Sequence, residues 1–170
     1  GKEWERAGKY PVEAIRKLGE MGCCGMLVPE EWGGAGLDHV SYIVMLEEVG
    51  RVFTAMSTTI GVTNSAVQVP LLLFGTEAQK KKYLRPMASG EVIGAFCLTE
   101  PGAGSDLANL RTRAVREGGL YRIHGAKTWM THGSRSDLMT LLARTDAGEP
   151  GYRGLSMFLA EKPRGRDGDP

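Results

Sequence analysis

The sequence predicts an α+β fold, with an all-α helical part first and an antiparallel, barrel-like β-domain after it. Up to about Glu91, apolar residues recur at helical spacing; beyond it, short apolar or alternating runs are bounded by Gly and Pro. Helices followed by strands, rather than strands alternating with helices, argue against a series of βαβ units. The domain division is therefore placed at 1–91 and 92–170.

In "PVEAIRKLGEMG", Val12, Ile15 and Leu18 stand at three-residue steps, and Pro11 suits a first helical turn. "VPEEWGGAGLD" reads as a loop because Pro29 and three glycines interrupt the pattern. "HVSYIVMLEEVGRV" resumes helical spacing and is expected to end near Gly50. "SAVQVPLLLFG" predicts a buried apolar helix with Pro70 inside it. Thr76 suits an N-cap for the next helix, and Gln79 three residues on would complete a capping box. Strands are expected in "VIGAFCL", "LRTRAVRE", "GLYRIHGAKTWMT", "DLMTLLAR" and "GLSMFLAE", and a loop in "EKPRGRDGDP". A strand through Thr131 would put Lys127, Trp129 and Thr131 on one face.

The chain has 170 residues, 42% hydrophobic and 24% charged, a globular composition. With 21 basic and 20 acidic residues it carries no electrostatic footprint for nucleic acid. Lys80, Lys81 and Lys82 fall within a helical pattern and read as a solvated face. Cys23, Cys24 and Cys97 form no disulfide framework and fit a reducing compartment. His39, His124 and His132 lack zinc-site spacing, so no metal site is expected. No apolar run approaches the length of a membrane helix. The chain opens without an initiator Met and is expected to belong to something longer.

"CLTEPGAGSDL" is the segment richest in possible chemistry. It falls short of a dinucleotide fingerprint, because Leu107 stands where the last glycine belongs and a strand pattern follows. A P-loop would need Gly-Lys-Ser/Thr. A bare turn and a loop of small donors around Thr99, Gly102, Gly104 and Ser105, nesting an anion, both remain open on these residues. Glu100 is expected to order the loop, and Asp106 to cap the turn through its own backbone.

Two segments together resemble the acyl-CoA dehydrogenases: "CLTEPGAGSDL" is similar to that family's flavin-binding segment, and "IHGAKTWMTHG" to its "NGxKxWITNG" stretch. "GMLVPEEWGGAGL", "FGTEAQKKKYL" and "ASGEVIGAFCLTEP" extend the likeness over most of the chain from about Tyr10. The resemblance implies a helical N-terminal domain, a flavin-binding middle β-domain and a C-terminal helical bundle, the last missing from this sequence. It implies FAD as cofactor, with Phe96, Cys97, Leu98 and Thr99 lining it and Gly104 and Ser105 near phosphate. Trp129 and Met130 would lie beside the isoalloxazine and Thr131 at its N5 region. Ser105 would also touch bound acyl-CoA.

The implied activity is α,β-dehydrogenation of an acyl-CoA thioester, with electrons passed to an electron-transferring flavoprotein. No catalytic residue is assigned here, since the family's base is a glutamate of the bundle. A same-fold acyl-CoA oxidase or flavin monooxygenase, or a non-catalytic fragment keeping half a flavin site, are the alternatives. The likeness further implies a homotetramer, cytoplasmic or in the mitochondrial matrix, and an acyl cavity near Val67 to Leu73. His124 and His132 stand where the family often has Asn, and Met130 where it has Ile.

Overall fold

The computed structural model describes residues 2–8 and 10–165. The end of the expected C-terminal loop, 166–170, lies outside the described residues. Among the described residues six α-helices come first: α1 (Lys2–Arg6), α2 (Val12–Glu20), α3 (His39–Val52), α4 (Thr54–Val62), α5 (Val69–Phe74) and α6 (Glu77–Ala88). Five strands follow: β1 (Gly94–Cys97), β2 (Arg113–Glu117), β3 (Leu120–His124), β4 (Leu138–Arg144) and β5 (Leu155–Glu161).

Local chemistry accounts for several boundaries. Asp38 caps α3 by accepting from the Val40 and Ser41 amides. Thr76 and Gln79 form the expected capping box on α6. "SAVQVPLLLFG" departs from the regular helix expected of it. Thr63–Gln68 is a π-helical stretch between α4 and α5. Pro70 has no N–H and cannot bond the carbonyl four residues back, so a widened turn there is physically reasonable. That carbonyl, of Ala66, instead accepts from Thr140 Oγ1 at 3.4 Å.

The sheet departs from the expected antiparallel barrel. It is mixed and not closed: β4 pairs with β5 antiparallel along one edge and with β1 parallel along the other. At the far end of β4, Arg144 pairs in parallel with Arg113 of β2, which forms an antiparallel hairpin with β3. A central strand with two parallel neighbours cannot belong to a simple antiparallel meander.

Val28, Val67, Leu71, Leu84, Met87 and Leu138 form a core in which β4 packs against the helices. A second core joins Ile15, Cys24, Met56 and Ile60. Between them, buried Asn64 donates to the Cys23 and Ile60 carbonyls and accepts from the Met26 amide, while Gln68 donates to the Cys24 carbonyl. These bonds pin the Cys23–Gly25 turn to the π-helical stretch. Among the described residues no helix is long and apolar enough to cross a membrane, and no cluster of three or more His, Cys, Asp or Glu could hold a metal.

Candidate functional site

The glycine segment is a tight hairpin rather than an anion nest. Glu100 and Ala103 exchange backbone hydrogen bonds of 2.8 and 3.2 Å around Pro101–Gly102. Neither Gly102 nor Gly104 has the positive φ of a left-handed nest residue. Gly104 nonetheless sits against Thr99, since a Cβ placed there would be 3.7 Å from Thr99 Cγ2. Ser105 is exposed. Asp106 closes the turn through its backbone, its carbonyl accepting from the Asn109 amide at 3.3 Å, and its carboxylate also accepts from the Asn109 side-chain amide.

Glu100 orders the bend, as its position in the sequence suggested. Its buried carboxylate accepts from the Arg111 and Thr112 amides and from Lys127 Nζ at 3.0 Å. Burial alone would raise its pKa, but hydrogen bonds from Thr112, Arg111 and Lys127 outweigh it and hold it at about 2. Both partners of the Glu100–Lys127 ion pair are only 6% exposed in their side chains. Lys127 Nζ also donates to the Leu98 carbonyl at 2.8 Å.

This ion pair brings the two sequence segments together. The Thr128 amide donates to the Thr99 carbonyl at 2.9 Å, so the residues before Trp129 run beside the threonine-and-glycine bend. The expected strand stops at His124, however, and 125–130 is irregular. Lys127 points inward while Trp129 is 90% exposed, so the predicted shared face of Lys127, Trp129 and Thr131 does not form. Trp129 instead takes φ 55°, a left-handed conformation uncommon for a bulky residue.

A turn closes directly behind it, where the Gly133 amide donates to the Met130 carbonyl. His132, at φ 62°, occupies the left-handed position of this turn. Asn and His tolerate that region better than most side chains. His132 Nε2 contacts Thr59 Oγ1 of α4 at 2.5 Å, and its ring packs on Tyr10 with centroids 4.9 Å apart. Desolvation, then the nearby positive charge of Arg135, lowers its pKa to about 4, so the ring is neutral near pH 7. The importance of Thr59 and Tyr10 was not legible in the sequence, because neither lies in a motif.

Along β1 the alternation sorts the remaining residues. Phe96 and Leu98 are partly exposed, while Ala95 and Cys97 are fully buried. Cys97 can therefore line a ligand only through its backbone, and burial pushes its thiol up to about 11. Thr99, Met130 and Thr131 are half-buried. A separate, partly apolar cavity of about 350 Å³ lies between the α5–α6 corner and β4–β5, beside Pro70, Leu71, Phe74, Thr140 and Phe158.

These residues fit a flat heterocyclic cofactor with a polar edge. An indole held out to solvent has a free apolar face, and the hydroxyls of Thr99, Thr131 and Ser105 lie in the two adjoining segments. A fully exposed indole on left-handed backbone has no evident role in the folded core, so a stacking partner is a physical reason for it.

The chain is similar to known proteins over most of its length. Residues 1–91 match the family described as acyl-CoA dehydrogenase, N-terminal domain, and residues 95–168 its middle domain. The chain is 48% identical over 160 residues to (2S)-methylsuccinyl-CoA dehydrogenase of Cereibacter sphaeroides, covering 94% of this chain and 29% of that protein. It superposes with a TM-score of 0.90 and 42% identity on a chain in the structure of the electron transferring flavoprotein of Acidaminococcus fermentans, covering 94% of this chain and 42% of that one. A glutaryl-CoA dehydrogenase of Mycobacterium smegmatis in complex with FADH2 gives a TM-score of 0.85 at 33% identity, over 94% of this chain and 39% of that one. The chain thus spans less than half the length of each of these relatives. Two consecutive domain matches in the expected order place it in a known group: the chain belongs to the acyl-CoA dehydrogenase family.

Proposed function

We propose that this chain forms one wall of the flavin site in an FAD-dependent acyl-CoA dehydrogenase, with a helical domain at 1–91 and a flavin-binding middle domain at 92–170. The observation that carries this reading is the Thr128–Thr99 backbone hydrogen bond, which brings the two flavin-associated segments side by side with Trp129 exposed next to them. FAD, when bound, supplies the acceptor for the hydride leaving the acyl β-carbon.

The chain's own residues position and shield. Trp129 offers an apolar plane for stacking, and the Thr99 and Thr131 hydroxyls offer hydrogen bonds to the ring's polar edge. Each such bond adds only about 0.5–1.5 kcal/mol of net affinity, so their role is orientation. Phe96, Leu98 and Met130 give apolar lining, Cys97 contributes through backbone, and Gly104 leaves room for phosphate beside Ser105. Ser105 would also contact acyl-CoA. The cavity beside Leu71 and Phe74 is a candidate for part of the acyl chain's path. An electron-transferring flavoprotein as electron acceptor and a homotetrameric assembly belong to the same reading, as does a cytoplasmic or mitochondrial-matrix location.

The test is reconstitution with FAD, read by flavin absorption and by quenching of indole fluorescence. Uptake that falls sharply in Trp129→Ala, with unchanged circular dichroism, supports the reading. Failure of the native chain to take up FAD, or equal uptake by the variant, counts against it.

A further inference from the structure

A second concavity of about 350 Å³ lies between the Pro101–Gly102 bend and the foot of the β2–β3 hairpin. Arg111, Arg113 and His124 line it, along with Gly102, Gly125 and Ala126. All three basic side chains are exposed, and their arrangement follows from the backbone. Arg111 and Arg113 are two residues apart, with buried Thr112 turned the other way between them. Arg113 and His124 are directly opposite in the antiparallel register, which puts both on one face of the hairpin.

Among the described residues no carboxylate forms an ion pair with Arg111 or Arg113. The Glu100 carboxylate at its floor is already engaged by Lys127 and two backbone amides. Glu117, on the same hairpin, pairs with Arg122. Among the described residues, the Arg111 and Arg113 guanidinium groups enter no hydrogen bond or ion pair. The Gly102 and Ala126 amides likewise donate to no carbonyl among them. The chain as a whole is almost neutral, at +1, so the cluster is a local feature rather than part of a general basic surface.

We propose that this concavity binds a phosphomonoester dianion through Arg111, Arg113 and His124. Guanidinium forks match the geometry of phosphate oxygens, and the free amides at the rim supply further donors. Gly125 is required by the packing beneath: a Cβ there would lie 2.3 Å from Thr112 Oγ1, so the backbone approaches the floor as only glycine can. The volume exceeds that of phosphate alone and lies at the small end of ligand pockets, so inorganic phosphate and a phosphorylated nucleoside are both possible sources of the same dianion.

The experiment titrates isotopically labelled protein with inorganic phosphate, adenosine 3′,5′-bisphosphate or unphosphorylated adenosine, following amide chemical shifts. Both phosphates are expected to move resonances at Gly102, Thr112, Arg113, Gly125 and Ala126, and adenosine to leave them in place. Tighter binding of the bisphosphate identifies a nucleotide source and equal binding a free anion; either supports the site. Arg111→Ala combined with Arg113→Ala should weaken binding at least about tenfold. Arg122→Ala should not. Both replaced residues are exposed, and the Arg111→Lys, Arg113→Lys pair, which keeps the charges, should retain part of the affinity. Unchanged affinity in the double alanine variant, or shifts absent or scattered elsewhere, overturns the proposal. Flavin absorption on the same samples reports separately on the proposed cofactor site.

Discussion

Thr59 Oγ1 lies 2.5 Å from His132 Nε2, and the bonds around it fix which atom holds the proton. The Thr59 hydroxyl gives its one hydrogen to the Ala55 carbonyl and accepts from Tyr10 Oη. Nε2 must therefore be the donor, which leaves Nδ1 as an unprotonated, buried nitrogen with no hydrogen-bond partner among the described residues. A helix of the N-terminal half thus holds the turn carrying Thr131 through a neutral imidazole.

That arrangement predicts a pH-dependent stability. The native His132 has a pKa of about 4 against an ordinary 6.5, so between those values the unfolded chain binds the extra proton. Stability is full above about pH 6.5 and falls as pH drops toward 4, by about 2 kcal/mol after allowing for partial exposure of the ring. Denaturant titrations across this range should show the slope, and His132→Asn should flatten it. An unchanged slope in the variant would assign the acid sensitivity to other groups.

Removing one partner of the buried Glu100–Lys127 pair should be costly. Glu100→Gln leaves the Lys127 ammonium, 6% exposed, without its counter-charge, at a cost of about 3 kcal/mol. Because Lys127 also anchors the Leu98 carbonyl, the loss should loosen the approach of Thr128 to Thr99. Thermal denaturation measures the first effect and amide hydrogen exchange at Thr128 the second.

Trp129→Ala should behave in the opposite way. With the side chain 90% exposed, its removal should change unfolding free energy by no more than about 0.5 kcal/mol. FAD uptake should fall steeply all the same. A large loss of stability instead would make Trp129 a structural residue.

Gly94→Ala should strain the junction of helices and sheet. A Cβ at the start of β1 would stand 2.8 and 2.9 Å from the two Val67 methyl carbons, in a region where Val67 is fully buried. Overpacking of this kind costs about 1–3 kcal/mol. Gly94→Ala combined with Val67→Ala should recover part of it, measurable as non-additivity in a double-mutant cycle.

Much of this architecture was legible because it is written in local chemistry. The α3 span, the Thr76–Gln79 capping box and four of the five strand segments follow from side chains acting on neighbours in sequence. The sheet's pairing was not legible. Whether β4 lies parallel or antiparallel to β1 depends on contacts across more than forty residues, as in Gly94 opposite Leu138, and no local pattern encodes them. The 125–131 stretch was misread for a related reason. Its alternation resembles a strand, but Lys127 is drawn inward by Glu100 while Trp129 turns outward on left-handed backbone. The two motifs do lie side by side, joined by the Thr128–Thr99 and Lys127–Glu100 contacts; which distant groups, Tyr10 and Thr59 among them, brace the neighbouring turn is a property of the fold.

The π-helical stretch at Thr63–Gln68 has one more implication, for how this helix tolerates changes in length. A widened turn holds about one residue more than a regular one, and each residue advances an α-helix by about 100°. Excising a single residue between Thr63 and Gln68 could restore regular winding with the downstream helix kept near its present angle, because the widened turn absorbs the extra residue. Leu71 would stay in the core, but the Pro70 ring would then meet the carbonyl four residues back, and Asn64 and Gln68, one residue closer in sequence, could not both keep their grip on the Cys23–Gly25 turn. One-residue deletions should therefore be far more damaging here than in the exposed 146–150 loop, although both segments lack regular α or β structure.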